Sequence, residues 1–183
     1  MHFSFADYVL DLAENALHSG ARNVRIELHE QGDRMRLRVA DDGRGMTEAE
    51  CRRALDPFVS DGKKHPERRV GLGLPFLKQL AESADGSFDI QSSPGAGTTV
   101  ELSYRADHFD APPEGDLVET LVQLLSYEVP ERPDQELEVL WQVGGSESTF
   151  SRSELREVLG ELESVGSRAM LRDFVASQRP EDL

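Results

Sequence analysis

Between residues 24 and 39 apolar and polar side chains alternate in two consecutive runs. Val24, Ile26 and Leu28 are interleaved with Arg25, Glu27 and His29, and Met35, Leu37 and Val39 with Arg34, Arg36 and Arg38. A period of two sends each apolar set to one face of a strand. Glu30-Gln31-Gly32-Asp33 between the runs is turn-like, so the pair is expected to be an antiparallel hairpin with one face buried and the other wet. Alternation this regular assigns the arginines to the wet face rather than to a nucleic-acid stripe. A net charge of −15 likewise argues against a phosphate-backbone binder.

The hairpin fixes how its neighbours must be arranged. Before it, Phe5, Val9, Leu12, Ala13, Ala16 and Leu17 form one apolar stripe of a helix ending near Gly20. After it come Asp41-Asp42-Gly43-Arg44-Gly45-Met46 and a short helix from Thr47 to about Leu55, with Thr47 and Glu50 spaced as a capping box. Residues 56–70 are polar and basic near their end and read as a long loop. A helix follows from Gly73 to Asp85-Gly86, then strands at 87–91 and 98–104, with Val100, Leu102 and Tyr104 inward, around a turn at 92–97. The order α-β-β-α-loop-α-β-β places helices on one face of a mainly antiparallel sheet, an α+β two-layer sandwich. Pro112-Pro113 and Gly115 mark a boundary, giving a first domain over 1–107 and a small α/β appendage over 108–183. The appendage is expected to hold a helix (116–127), a hairpin (137–150) and one or two terminal helices, the first with a Ser151/Glu154 capping box.

Charge is unevenly spread: residues 110–183 carry −11 of the −15. A solvated acidic face and a docking surface for a basic protein partner both account for this. No apolar run approaches the roughly 18 residues of a membrane span, and the first residues carry no export signal. A single cysteine, Cys51, excludes an internal disulfide and points to a reducing cytoplasm.

Three segments carry chemistry. Asp11 and Asn15, four residues apart on the first helix, point within roughly 40° of each other beyond the apolar stripe. An amide oxygen can ligate a hard cation, and a carboxylate can accept a proton from water. Asp41, with Gly43 and Gly45 beside it, closes a buried strand, where a carboxylate can accept an exocyclic amine and glycines allow close approach. Gly71 and Gly73 open a helix directly after the basic loop, where backbone N–H groups and the helix dipole favour an anion. A P-loop run is absent, and no strand immediately precedes the glycines as a Rossmann turn would require.

In this order, Asp-Leu-Ala-Glu-Asn-Ala (11–16), Asp-Asp-Gly-Arg-Gly-Met (41–46), Asp-Pro-Phe-Val-Ser (56–60), Gly-Leu-Gly-Leu-Pro (71–75) and Gly-Ala-Gly-Thr-Thr-Val (95–100) resemble the sequence boxes of the GHKL ATPases. That group comprises the gyrase B subunit, the large heat-shock chaperones, sensor histidine kinases and MutL. The resemblance covers about residues 5–105 and implies a Bergerat-type ATP site with a lid at about 57–70. Carried over by position, it implies that Asn15 holds Mg²⁺ and that Asp41 recognises adenine, with Gly43, Gly45 and Met46 beside it. It also implies that Gly71, Leu72 and Gly73 face the phosphates and that Thr98 supports Asp41 or the base through water. Lys63, Lys64, Arg68 and Arg69 fall on the lid.

Two departures bound the expected activity. Hydrolysing branches carry a Glu four residues before the Asn; here Asp11, one methylene shorter, would be the general base. Histidine kinases usually carry a non-acidic residue there, and their boxes are the closer match to 56–75. Only ten residues precede Asp11, and the five histidines lie in no helical hairpin that could bear a phospho-acceptor. His18, near a helix end, is expected to be a C-terminal cap. The segment 108–121 is similar to the one that follows the domain in short stand-alone bacterial members. The expected function is an ATP-Mg²⁺-binding regulatory module with an unidentified protein partner and slow hydrolysis at most. The alternative is a serine/threonine kinase resembling anti-sigma factors.

Overall fold

A computed structural model describes residues 3–56 and 73–180. The opening helix, α1 (Phe5–Leu17), starts at a complete capping box: the Ser4 side chain accepts from the Asp7 backbone, and the Asp7 carboxylate accepts from the Ser4 N–H at 2.8 Å. The helix buries Phe5, Val9, Leu12, Ala13, Ala16 and Leu17, the stripe its spacing predicts. At its other end His18 is the cap. Its Nδ1 donates to the Glu14 carbonyl at 2.7 Å, and its Nε2 accepts from the Tyr127 hydroxyl at 3.0 Å.

The expected hairpin is present as β1 (Asn23–Gln31) and β2 (Arg34–Asp41), antiparallel, with Ile26 opposite Val39 and Leu28 opposite Leu37. Helix α2 (Glu48–Ala54) follows with its Thr47/Glu50 capping box closed. Then come α3 (Gly73–Ser83), β3 (Ser87–Ser92) and β4 (Thr98–Arg105), β4 pairing antiparallel with both β3 and β2. The later segment supplies α4 (Leu117–Ser126), β5 (Glu136–Val143), β6 (Ser146–Ser151), α5 (Arg152–Leu159) and α6 (Val165–Ser177). Ser151 accepts from the Glu154 N–H and so supplies its half of the box expected there.

The six strands form one sheet in the order β3-β4-β2-β1-β5-β6. β5 lies parallel to β1, Ile26 beside Val139 and Leu28 beside Trp141, so the C-terminal α/β segment extends the sheet begun by the N-terminal hairpin. Every other described strand pair is antiparallel. The inward rows of β1, β2, β4 and β5 and the buried residues of α1, α3, α4, α5 and α6 make one core. Helix α4 lies between α1 and α6. On the opposite face the arginines are wet, as alternation predicts, and two of them are ion-paired. Arg25 meets Glu27 at 2.7 Å and Glu138 at 3.1 Å, while Arg38 meets Glu27 at 3.3 Å and Glu101 at 3.1 Å. Among the described residues, no helix is long and apolar enough to cross a membrane.

Candidate nucleotide site

The inward row of β2 runs Met35, Leu37, Val39 and ends in Asp41. The register sets Asp41 beside Val24 of β1 and Thr98 of β4, and Thr98 in turn begins the inward row Val100, Leu102, Tyr104. Alternation therefore delivers a carboxyl and a hydroxyl to the core side of the sheet at one end, where the apolar packing stops.

Three donors fix the Asp41 carboxylate. Ser19 Oγ donates to Oδ1 at 2.9 Å and the Gly43 N–H donates to the same oxygen at 2.8 Å. The backbone N–H of Thr98 is a third, weaker donor. Burial nevertheless raises the pKa of Asp41 above the ordinary carboxylate value, and the neighbouring Asp42 adds to the rise against the three hydrogen bonds. An ionised carboxylate has about four acceptor positions. Three described donors leave it capacity for one further donor.

The next residue behaves oppositely. Asp42 Oδ1 accepts from the N–H groups of Arg22 (2.7 Å) and Asn23 (2.9 Å), and Oδ2 accepts from Asn23 Nδ2 at 2.7 Å. Slight burial raises its pKa, but these donors outweigh it and hold the group below its usual value. Asp42 thus ties the start of β1 to the end of β2.

Two glycines permit this crowding. A Cβ on Gly43 would collide with the Ser19 hydroxyl and the Asp41 carboxylate. Gly97 has φ +79°, and a Cβ there would be driven into the Asp41 carbonyl. The atoms that crowd both positions belong to the protein itself, so these glycines serve first to let the chain close around Asp41. Gly45 packs on the Ser93 carbonyl in the same way. Ser92 completes the knot: its hydroxyl donates to the Gly97 carbonyl at 3.0 Å and accepts from the Met46 N–H at 2.9 Å. With that proton spent, the Thr98 hydroxyl is the donor in the 2.9 Å contact to Ser92.

Of the residues expected from sequence, Asp41, Gly43, Gly45, Met46 and Thr98 come together in this knot. Asp11 and Asn15 stand on α1, the first half-buried and the second exposed. Ser19, whose hydroxyl touches Asp41, follows in the turn just past the C-terminal cap of α1, so the helix that carries Asp11 and Asn15 ends at the carboxylate. Gly73 opens α3 with φ +59°. Gly71, Leu72 and the basic residues Lys63, Lys64, Arg68 and Arg69 lie outside the described residues. Sequence reasoning missed Ser19, Asp42 and Ser92. The Ser19-Gly20 pair after the helical stripe signals a turn, yet its partner stands 22 residues away. The depressions on the wet face, lined in part by His29 and Arg36, lie across the sheet and share no lining residue with the knot.

A cation held by Asn15 fits the donor set only as a shared one: a single exposed carboxamide oxygen is one hard ligand, and no cluster of three His, Cys, Asp or Glu exists among the described residues. Such a site suits Mg²⁺ brought by phosphates rather than a resident ion.

Residues 5–108 match the family described as histidine kinase-, DNA gyrase B-, and HSP90-like ATPase. The cell-division control histidine kinase PdhS of Brucella anthropi is 32% identical over 114 residues, 55% of this chain and 11% of PdhS. The sensor histidine kinase YxdK of Bacillus subtilis is 33% identical over 91 residues, 48% of this chain and 28% of YxdK. The alginate biosynthesis sensor protein KinB of Pseudomonas aeruginosa is 35% identical over 89 residues, 48% of this chain and 15% of KinB. The chain therefore spans less than a third of each of these relatives. The match covers more than half of this chain and includes the whole knot around Asp41. The chain belongs to the histidine kinase-, DNA gyrase B-, and HSP90-like ATPase family and carries a histidine-kinase-like ATP-binding domain.

Proposed function

We propose that this chain is an ATP-dependent regulatory module that binds ATP with Mg²⁺ and engages a protein partner through its acidic C-terminal region. The observation that carries the reading is the half-buried Asp41 carboxylate. It is oriented by Ser19, Gly43 and Thr98 and retains capacity for one more donor. The exocyclic amine of adenine is such a donor, and a pre-oriented acceptor loses little entropy on meeting it. Asn15 would hold Mg²⁺, which when bound neutralises phosphate charge. Residues 57–70 would act as the lid, with Lys63, Lys64, Arg68 and Arg69 bringing positive charge to it; Gly71, Leu72 and Gly73 would face the phosphates.

Asp11 would act as general base for slow hydrolysis, one turn along α1 from Asn15. Isothermal titration with ATP and ADP, with and without Mg²⁺, tests the site. Binding should be lost in Asp41→Asn, and its Mg²⁺ dependence should be lost in Asn15→Ala. Unchanged affinity in both variants would sink the assignment. Phosphate release that survives Asp11→Asn at the wild-type rate would remove Asp11 from the role of base.

A second reading draws on the relatives, two of which are named as histidine kinases. It is phosphoryl transfer to a serine or threonine of a protein partner, in the manner of anti-sigma factors. Transfer of labelled phosphate from ATP to a co-purified protein would select this reading over the first.

A further inference from the structure

The turn that carries Ser19 is held from outside the family-matched region. Gln135 stands just before β5 and is buried, only 3% exposed. Its Nε2 donates to the Leu17 carbonyl and to the Ala21 carbonyl, both at 2.9 Å. These two carbonyls flank Ser19 symmetrically, two residues before and two after. One amide group therefore closes the turn whose hydroxyl, 2.9 Å from Asp41 Oδ1, orients the carboxylate. Ser19 is pinned on its other sides as well: its N–H donates to the Ala16 carbonyl at 3.1 Å and its carbonyl accepts from the Arg44 N–H at 3.1 Å.

The amide orientation follows from the contacts. Flipped, Oε1 would face two carbonyl oxygens, so the NH₂ group must be the one that meets them. Oε1 is then buried without a donor among the described residues. Arg152, 1% exposed on α5, holds the Gln135 backbone in turn, donating from Nη1 to the Gln135 carbonyl at 3.3 Å.

We propose that Gln135 is a positioning residue for nucleotide selection: by bridging the carbonyls on either side of Ser19 it sets the hydroxyl that aims Asp41 at the base. The C-terminal region, beyond residues 5–108, thereby completes the base-recognition end of the ATP site. This inference rests on the reading of Asp41 proposed above.

The test uses the full chain and the ratio of its affinities for ADP and GDP, measured by isothermal titration in excess Mg²⁺. An unfolded fraction lowers both affinities together and leaves the ratio unchanged, whereas a misaimed Asp41 changes it. Ser19→Ala removes one hydrogen bond to a charged acceptor and should reduce the ADP preference by about tenfold. Gln135→Met, close in volume and without donors, should reduce it in the same direction by roughly threefold or more. The double variant should match Ser19→Ala, because Gln135 acts through Ser19. Should Gln135→Met not fold, Gln135→Asn keeps the amide one methylene back and serves in the same cycle. A wild-type ratio in the folded Gln135 variant would overturn the inference. So would a Gln135 effect as large in the Ser19→Ala background as in the wild type. Asp41→Asn separates the two levels. If it leaves ADP binding intact, the site reading fails; if it abolishes ADP binding while the Ser19 and Gln135 variants keep the wild-type preference, only the positioning role fails.

Discussion

Asp41 ionises against burial, and its pKa is raised although Ser19, Gly43 and Thr98 all donate to it. In the interval between the ordinary carboxylate pKa and the raised folded value, the native state binds more protons than the unfolded chain. Stability contributed by this group therefore falls as pH rises through that interval, and the apo protein at neutral pH carries the cost. Asp41→Asn keeps an acceptor for Ser19 and Gly43 and removes the charge. Its apo melting temperature at pH 7 should equal or exceed that of the wild type, in contrast to its lost nucleotide binding; thermal unfolding followed by circular dichroism checks this. Asp42 has the opposite sign. Its pKa is lowered in the fold, so its contribution is present above the ordinary carboxylate pKa and is lost as pH falls through the depressed folded value. Asp42→Ala should cost about 1 kcal/mol at pH 7, the net worth of exposed hydrogen bonds, and the gap to wild type should close on acidification.

The turn at residues 92–97 and the loop at 42–46 are built as one object, joined by Ser92 and by the approach of Gly97 to the Asp41 carbonyl. Gly97→Ala requires both a left-handed backbone and a side chain where a carbonyl stands. It should destabilise by about 3 kcal/mol, through strain plus overpacking, as read by urea unfolding, and should displace Asp41. Arg152 plays a comparable role at the end of α4, donating to the Leu124 carbonyl at 2.7 Å and to the Leu125 carbonyl at 3.3 Å. Burial lowers its pKa to about 10 despite the nearby Glu136 and Glu128. Arg152→Met should cost roughly 2–4 kcal/mol in unfolding free energy, because buried carbonyls lose their donor. At this scale the sequence was a good guide wherever a period or a local motif existed. The rows 24–28 and 35–39, the stripe of α1 and the Thr47/Glu50 box each declare themselves within a few residues. Asp41 was legible because it ends such a row. Ser19 and Gln135 were not, since each is defined by partners 22 and more than 110 residues away and neither belongs to a period. The place of β5 beside β1 was hidden for the same reason: an alternating strand reveals which face is apolar, and says nothing about which edge it will join.

As a whole molecule, the chain is organised by a sheet whose interior strand β1 takes β2 on one side and β5 on the other. Truncation after residue 108 would remove β5 and leave the β1 edge, with its unpaired N–H and carbonyl groups, open to other chains. It would also strip α4 from α1 and uncover part of the apolar core that the two helices share. The truncated form should associate or aggregate at concentrations where the full chain does not, as measured by multi-angle light scattering. The parallel pairing of β1 with β5 has a further consequence in time. Residues 23–30 cannot find their partners at 136–143 until most of the chain has been synthesised. A nascent chain emerging at about 5–20 residues per second would hold a half-dressed hairpin in the interval, and closing so long a loop is slow for topological reasons. The recognition end of the site, which leans on Gln135, would then be among the last parts of the protein to mature, so that an incomplete chain would be a poor competitor for nucleotide.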